Sequence, residues 1–227
     1  MNKRVDFDEY TENYNQLLKE KTQFFSPSEE YFARYKVDIV RQQRTEPVRR
    51  VLEYGCGIGR NIPFLQQAFP GAEVIGTDIS GASLDIARQE NHDVAFFLED
   101  GKAGDLGEFD LIFVAGVYHH IPPAERVNVS STILRRLSPN GSLFVFEHNP
   151  FNPVTRRIVN TCPYDADAVL LSPRELKSIL HEAGFKIGRS AYCLFIPPSL
   201  RSLAPLEGKL GWLPLGGQYW VSAQASR

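Results

Sequence analysis

The stretch Val51-Leu52-Glu53-Tyr54-Gly55-Cys56-Gly57-Ile58-Gly59-Arg60 constrains this chain more than any other. A short apolar run passes straight into closely spaced glycines and then into helix-like sequence at 61–69, which predicts a strand, a tight turn and a helix. Glycine permits the sharp turn and lets backbone amides approach a ligand with no side chain in the way. The glycines follow GxGxG. The dinucleotide fingerprint needs GxGxxG, and Arg60 stands where its third glycine would fall. An acid, Glu53, lies two residues before the first glycine.

The rest of the chain repeats this texture. Short apolar runs at 51–54, 73–76, 94–98, 110–115 and 142–147 read as strands, and 61–69, 82–89 and 124–137 as helices between them. Such alternation predicts an α/β fold with a parallel sheet covered by helices on both faces. The strands are continuously apolar, as burial on both sides requires. Ser172-Pro173-Arg174-Glu175 carries the signature of a helix start, and Gly184 its end, so 172–183 reads as a helix. Strands follow at 185–195 and 218–223. Before the sheet, Tyr10, Tyr14, Leu17 and Leu18, then Tyr31, Tyr35, Ile39 and Val40, recur at helical spacing on either side of Ser26-Pro27. This predicts a helical cap over 1–45. Two stretches, 148–171 and 196–217, fit no repeat and are expected as insertions near the substrate side of one domain spanning 1–227.

Composition narrows the classes. Lys+Arg 25 against Asp+Glu 27 gives a net charge of -2, which argues against a nucleic-acid binder. Cys56, Cys162 and Cys193 lie far apart with no CxxC pair, so neither a disulfide framework nor a zinc ribbon is expected, and no metal site is proposed from the sequence. The charged N-terminus and the lack of a long uncharged apolar run predict a cytoplasmic protein without a transmembrane segment.

Three further landmarks follow the glycine turn. Asp78 ends the second strand, where an acid can accept hydrogen bonds from both ribose hydroxyls of an adenosine ligand. Glu99 and Asp100 follow the third strand. The fourth runs Phe109-Asp110-Leu111-Ile112-Phe113-Val114-Ala115-Gly116-Val117-Tyr118-His119-His120-Ile121. In this order the landmarks resemble the class I S-adenosylmethionine-dependent methyltransferases, over about residues 48–150. The resemblance implies a Rossmann-like, seven-stranded, mostly parallel sheet of order 3-2-1-4-5-7-6 with the last strand antiparallel. It also implies S-adenosyl-L-methionine as cofactor. The donor's amino-acid end would lie along Glu53, Gly55, Cys56, Gly57 and Gly59. Asp78 would hold the ribose, Ile79 would pack on the adenine, Asp100 would contact the adenine amine, and Ala115 would border the methionyl part. Tyr14 would close over the sulfonium, whose charge an aromatic face attracts. Residues 147–171 look like a feature of methyltransferases acting on small molecules or on sugar- and lipid-linked intermediates.

Ligands in parallel sheets sit beyond the carboxyl ends of the strands. His119 and His120 follow the fourth strand, and Glu147, His148, Asn149 and Asn152 the fifth. The expected catalytic set is therefore His119, His120, Glu147 and His148, with a histidine or Glu147 as base where the acceptor is an O or N nucleophile. Arg156 and Arg157 are candidates for an acidic group on the acceptor. The expected partner is a small-molecule or glycolipid acceptor, with peripheral membrane contact through 196–217 as one reading of that apolar stretch. A nicotinamide-dependent oxidoreductase and a catalytically silent cofactor-binding protein are the competing readings.

Overall fold

The computed structural model describes residues 29–100 and 106–226. Tyr10, Tyr14 and the first expected helix lie outside them. The second begins the described chain as α1 (Glu29–Gln43). Then come β1 (Arg50–Tyr54), α2 (Ile62–Ala68), β2 (Glu73–Asp78), α3 (Gly81–Glu90), β3 (Ala95–Leu98), β4 (Phe109–Ala115), α4 (Arg126–Arg135), β5 (Leu137–His148), α5 (Pro153–Thr161), α6 (Pro173–Glu182), β6 (Phe185–Cys193), α7 (Glu207–Leu210) and β7 (Gln218–Ala225). The strands form one seven-stranded sheet of order β3-β2-β1-β4-β5-β7-β6. Pairing is parallel from β3 through β5, and β7 runs antiparallel to both β5 and β6. The expected fold class and strand order hold.

The central strands are apolar along their length because both faces are covered. Leu111, Phe113, Phe144 and Phe146 pack with Val37 and Val40 of α1, Ile62 and Leu65 of α2, and Leu84 and Ala87 of α3. Ile112, Val114, Leu143 and Val145 pack on the other face with Ile133 of α4 and Leu176 and Leu180 of α6. The α6 start forms a full capping box: the Ser172 hydroxyl accepts from the Glu175 amide at 3.3 Å, and Glu175 Oε2 accepts from the Ser172 amide at 2.7 Å.

Differences from the expected spans have local causes. The helix expected over 124–137 splits into a 3-10 turn (Pro123–Glu125) and α4. The chain leaves the helix at Arg136, whose carbonyl accepts the Phe109 amide, and Leu137 already pairs with Phe109, so β5 starts five residues early. β6 stops at Cys193 because Leu194 takes φ 62, a left-handed conformation that breaks the ladder. Among the described residues no helix is long and apolar enough to cross a membrane.

The expected insertions are ordered and tied to each other. Within 148–171 the chain makes α5 and a 3-10 turn, Pro163–Asp165. Asn152 caps α5, accepting from the amides of Val154 and Thr155. Asn149 is fully buried. Its Nδ2 donates to the carbonyls of Pro214 (3.0 Å) and Gly216 (2.7 Å), and its Oδ1 accepts from the Phe151 amide. Thr155 Oγ1 donates to the Gly217 carbonyl at 2.9 Å. The asparagines that resembled rim chemistry thus join 148–171 to 196–217.

Candidate functional site

A cavity of about 670 Å³ opens at the carboxyl ends of β1, β2, β4 and β5. Its floor is the glycine turn. Gly55 has φ 71, and a Cβ there would come within 2.4 Å of a Val117 methyl, so only glycine lets the turn close against β4's exit. At Gly57, φ 53, a Cβ would meet nothing within 4 Å among the described residues. Gly55, Cys56 and Gly57 line the cavity, whereas Gly59 does not and instead lies against Asn91. Cys56 is buried, and burial pushes its thiol well above the usual range, so it is a wall rather than a nucleophile.

Asp78 lines the same floor. Its Oδ2 accepts the Gly57 amide at 2.7 Å and its Oδ1 the Ser80 amide at 2.9 Å. Burial raises its carboxyl above the ordinary value, and these amides offset part of that. Ile79 next to it is 52% exposed and lines the cavity. After β3 the placement differs from the expectation. Glu99 lines the cavity and pairs with Arg136, while Asp100 is exposed and lies outside the lining. Ala115 and Gly116 form the wall at the end of β4.

Glu53 stands behind the floor rather than in it. It is 1% exposed, its Oε1 accepts from Asn61 Nδ2 at 2.5 Å, and its Oε2 has no partner among the described residues. Burial lifts its carboxyl to about 8, with Asn61 and Lys36 pulling the other way. Lys36 and Asn61 themselves line the cavity. An orphaned buried carboxylate oxygen beside a glycine floor, with an acid at the neighbouring strand end, suits a ligand bearing an ammonium group and a vicinal diol. Those are the polar groups of S-adenosylmethionine.

The opposite rim is built from imidazoles and carboxylates. A 3-10 turn, Tyr118–His120, follows β4 and presents His119 and His120. Glu147 does not line the cavity; it is fully buried beneath it. Its Oε1 accepts the amides of Val117 (3.0 Å) and Tyr118 (2.7 Å), and its Oε2 accepts His119 Nδ1–H at 2.6 Å. A carboxylate with both oxygens engaged orients His119 and is spent as a base. Asp165, from the Pro163–Asp165 turn, lies on the far side of both rings: its Oδ1 is 3.7 Å from His119 Nε2 and 3.4 Å from His120 Nε2. His120 Nδ1 is 3.4 Å from Asp167 Oδ1. The His148 ring lies 5.0 Å from that of His119.

These neighbours divide the histidines. Burial opposes charge on His119, but Glu147 and Asp165 outweigh it and raise its value to about 10. Burial and the His119 charge hold His120 and His148 down at about 4. The rim therefore offers a fixed imidazolium flanked by carboxylates and two neutral imidazoles.

The structure thus brings His119, His120 and His148 together with Gly55, Cys56, Gly57, Asp78, Ile79 and Ala115 around one cavity. Glu53 and Glu147 support it from behind. Arg156 and Arg157 are exposed on the outer face of α5, away from the cavity. Lys36, Asn61, Tyr164 and Asp165 were missed in the sequence. Tyr164-Asp165-Ala166-Asp167 is a polar patch directly after Cys162-Pro163, and its position in the segment following β5 was the available signal.

Comparison with known proteins agrees with this geometry. The family described as a methyltransferase domain matches residues 10–189. An uncharacterized methyltransferase of Synechocystis sp. is 31% identical over 152 residues, covering 63% of this chain and 69% of that one. A trans-aconitate 2-methyltransferase of Azoarcus sp. is 27% identical over 127 residues, 56% of this chain; the match spans about half of that relative, 49%. Among solved structures, magnesium protoporphyrin IX methyltransferase of Synechocystis with bound SAH superposes with a TM-score of 0.66 at 18% identity, over 96% of this chain and 97% of that one. An S-adenosylmethionine-dependent methyltransferase of Archaeoglobus fulgidus superposes at 0.67 and 19% identity, over 92% and 99%.

Proposed function

Because this chain belongs to the class I S-adenosylmethionine-dependent methyltransferases, we propose that it methylates an oxygen or nitrogen nucleophile of a small molecule or a sugar- or lipid-linked intermediate. One observation carries the reading: the glycine floor with Asp78 and the imidazole rim line a single cavity. The bound donor supplies an electrophilic methyl on a sulfonium. The chain supplies position. With the donor bound, Asp78 would accept the ribose hydroxyls, Ile79 would pack on the adenine, Glu53 would attract the donor's ammonium from behind the glycine floor, and Ala115 and Gly116 would border its methionyl part.

Methyl transfer in line needs the nucleophile about 3–3.5 Å from the methyl carbon, and holding it there supplies much of the rate. His120 and His148, neutral at pH 7 by their low values, offer lone pairs to an acceptor's O–H or N–H. His119, held by Glu147, donates and orients. An apolar or lipid-linked acceptor is favoured by Leu200, Leu203, Leu206, Trp212 and Leu215, all exposed on the segment that also borders the cavity through Leu215. Small polycarboxylic acids belong in the same test because the trans-aconitate 2-methyltransferases are relatives and Lys36 and Arg60 line the cavity.

The experiment is calorimetric titration with S-adenosylmethionine and with NAD, followed by an acceptor panel of small acids, sugars and polyprenyl-linked sugars read by mass spectrometry. The expected result is binding of S-adenosylmethionine alone and a mass gain of one methyl group on one acceptor class. His120→Ala should lose about 10²-fold in turnover with donor affinity kept. Donor binding with no acceptor methylated across the panel would favour the silent cofactor-binding reading.

A further inference from the structure

The two histidines after β4 share an arrangement that methyl transfer by positioning alone does not require. Each presents Nε2 to the same atom, Asp165 Oδ1, at 3.7 and 3.4 Å. Each has its Nδ1 turned to a second carboxylate: His119 to Glu147 Oε2 at 2.6 Å, His120 to Asp167 Oδ1 at 3.4 Å. The three candidate ligand atoms of His119, His120 and Asp165 all lie within 4.8 Å of one another.

The distances discriminate. A charge-assisted N–H···O bond is about 2.7–2.9 Å long, and the His119–Glu147 contact is of that kind. The Asp165 contacts, at 3.7 and 3.4 Å, are longer than the His119–Glu147 bond. They are close to the spacing of ligand atoms around one cation: bonds of about 2.0–2.2 Å in a tetrahedral set place the atoms about 3.4 Å apart. The outer carboxylates have the usual form of support for a metal-binding imidazole, in which the non-ligating nitrogen donates to a carboxylate that fixes the ring and its tautomer. Glu147 is fixed in turn by the amides of Val117 and Tyr118. Two imidazoles enclosed by Glu147, Asp165 and Asp167 also carry the charge balance that a divalent cation neutralises.

We propose that His119 Nε2, His120 Nε2 and Asp165 Oδ1 form a three-ligand site for a divalent transition metal of the zinc type, open on its fourth side to the cavity. Two nitrogens and one oxygen suit zinc and its first-row neighbours rather than magnesium or calcium, which take oxygen sets. Three protein ligands with an open position is the form of a reactive rather than a structural zinc site. Coordination displaces any proton on the two Nε2 atoms to solvent. This inference rests on the reading of the cavity as the methyl-transfer site, narrows its acceptor, and with the metal bound leaves His148 rather than His120 as the neutral imidazole facing the acceptor. An oxygen ligand, hydroxyl or carboxylate, would bind the cation at the open position, and a hydroxyl there would give up its proton more readily.

The test uses metal binding, not activity. The full chain, freed of metal with a chelator, is titrated with Zn²⁺ by calorimetry and with Co²⁺ by visible absorption, alongside His120→Ala, Asp165→Asn, Asp167→Asn and the exposed control His181→Ala. Expected are one equivalent of Zn²⁺ and an intense tetrahedral-type Co²⁺ band for the wild type and the control. His120→Ala and Asp165→Asn should bind at least 100-fold more weakly, and Asp167→Asn about 10–100-fold more weakly. Circular dichroism checks each fold, and the two conservative variants carry the test should His120→Ala fail to fold. Absence of a stoichiometric Zn²⁺ site, or equal binding by Asp165→Asn, overturns the proposal. S-adenosylmethionine titration of the same samples separates the two readings: metal bound without donor binding sinks the methyl-transfer reading alone, and donor bound without metal sinks the metal site alone.

Discussion

Glu53→Gln should make the chain more stable and a worse binder of its donor at once. Glu53 is 1% exposed, has one oxygen without a partner among the described residues, and titrates at about 8 because burial disfavours its charge. An acid raised in the folded state binds more protons there than in the unfolded chain. Stability therefore falls as pH rises from about 4.5 to about 8 and levels off beyond. Each pH unit in that window costs about 1.4 kcal/mol, so at pH 7 the folded chain has lost up to about 3 kcal/mol. Glutamine keeps an oxygen for Asn61 Nδ2 and removes the titration. Urea unfolding followed by circular dichroism should show the stability difference between Glu53→Gln and the wild type widening from near zero at pH 5 to about 1–3 kcal/mol at pH 7, because the histidine titrations are common to both proteins and cancel in the difference. Donor binding should move oppositely. An ammonium ligand takes Glu53 in its charged form, so wild-type affinity should rise up to tenfold per unit from pH 6 toward 7.5. Above that the donor's own amine begins to lose its charge. Glu53→Gln should bind at least tenfold more weakly at pH 7.5 and lack the rising limb. Parallel stability profiles in the two proteins, or donor affinity in the variant equal to wild type at pH 7.5, would refute the reasoning.

Asp78→Ala should weaken S-adenosylmethionine binding at least tenfold by calorimetry, since hydrogen bonds to a charged group contribute roughly 1.5–3 kcal/mol; unchanged affinity would remove the ribose role. Gly57→Val should fold, at a cost of about 1–2 kcal/mol for a left-handed conformation, yet lose donor binding because its side chain grows into the cavity, where no described residue lies within 4 Å. Normal affinity in that folded variant would show that the turn is not the donor floor. Asn149→Ala leaves the carbonyls of Pro214 and Gly216 and the Phe151 amide without their buried partner. It should cost about 3 kcal/mol and speed proteolytic cleavage within 196–217; an unchanged cleavage rate would mean that the two segments hold together without it.

Local sequence determined the sheet and the glycine floor of the cavity. The glycine turn, Asp78 and the continuous apolar strands are short-range patterns, and each dictates its own geometry: left-handed glycines close a turn, an acid at a strand end meets whatever lies over the next helix, and an uninterrupted apolar run must be covered twice. Periodicity placed α1, and the start signal at Ser172–Glu175 with Gly184 as the stop placed α6, for the same reason. It misplaced the α4–β5 boundary because Leu137 is decided by its pairing with Phe109, not by the helical pattern before it. Only the tertiary structure decided the imidazole rim. His119 and Asp165 lie 46 positions apart and meet because the chain turns back over the sheet after α5. Glu147 is an ordinary strand-end acid in sequence and becomes the buried support of His119 once β4 and β5 are neighbours. Past the end of β3, Glu99 rather than Asp100 lines the cavity, where it pairs with Arg136 some 37 positions on. Asn149 resembled rim chemistry and proved to be a buried link between two distant segments. Contacts across such separations leave no period in the chain, and the fold alone sets which polar side chains share a dry pocket and shift one another's charge.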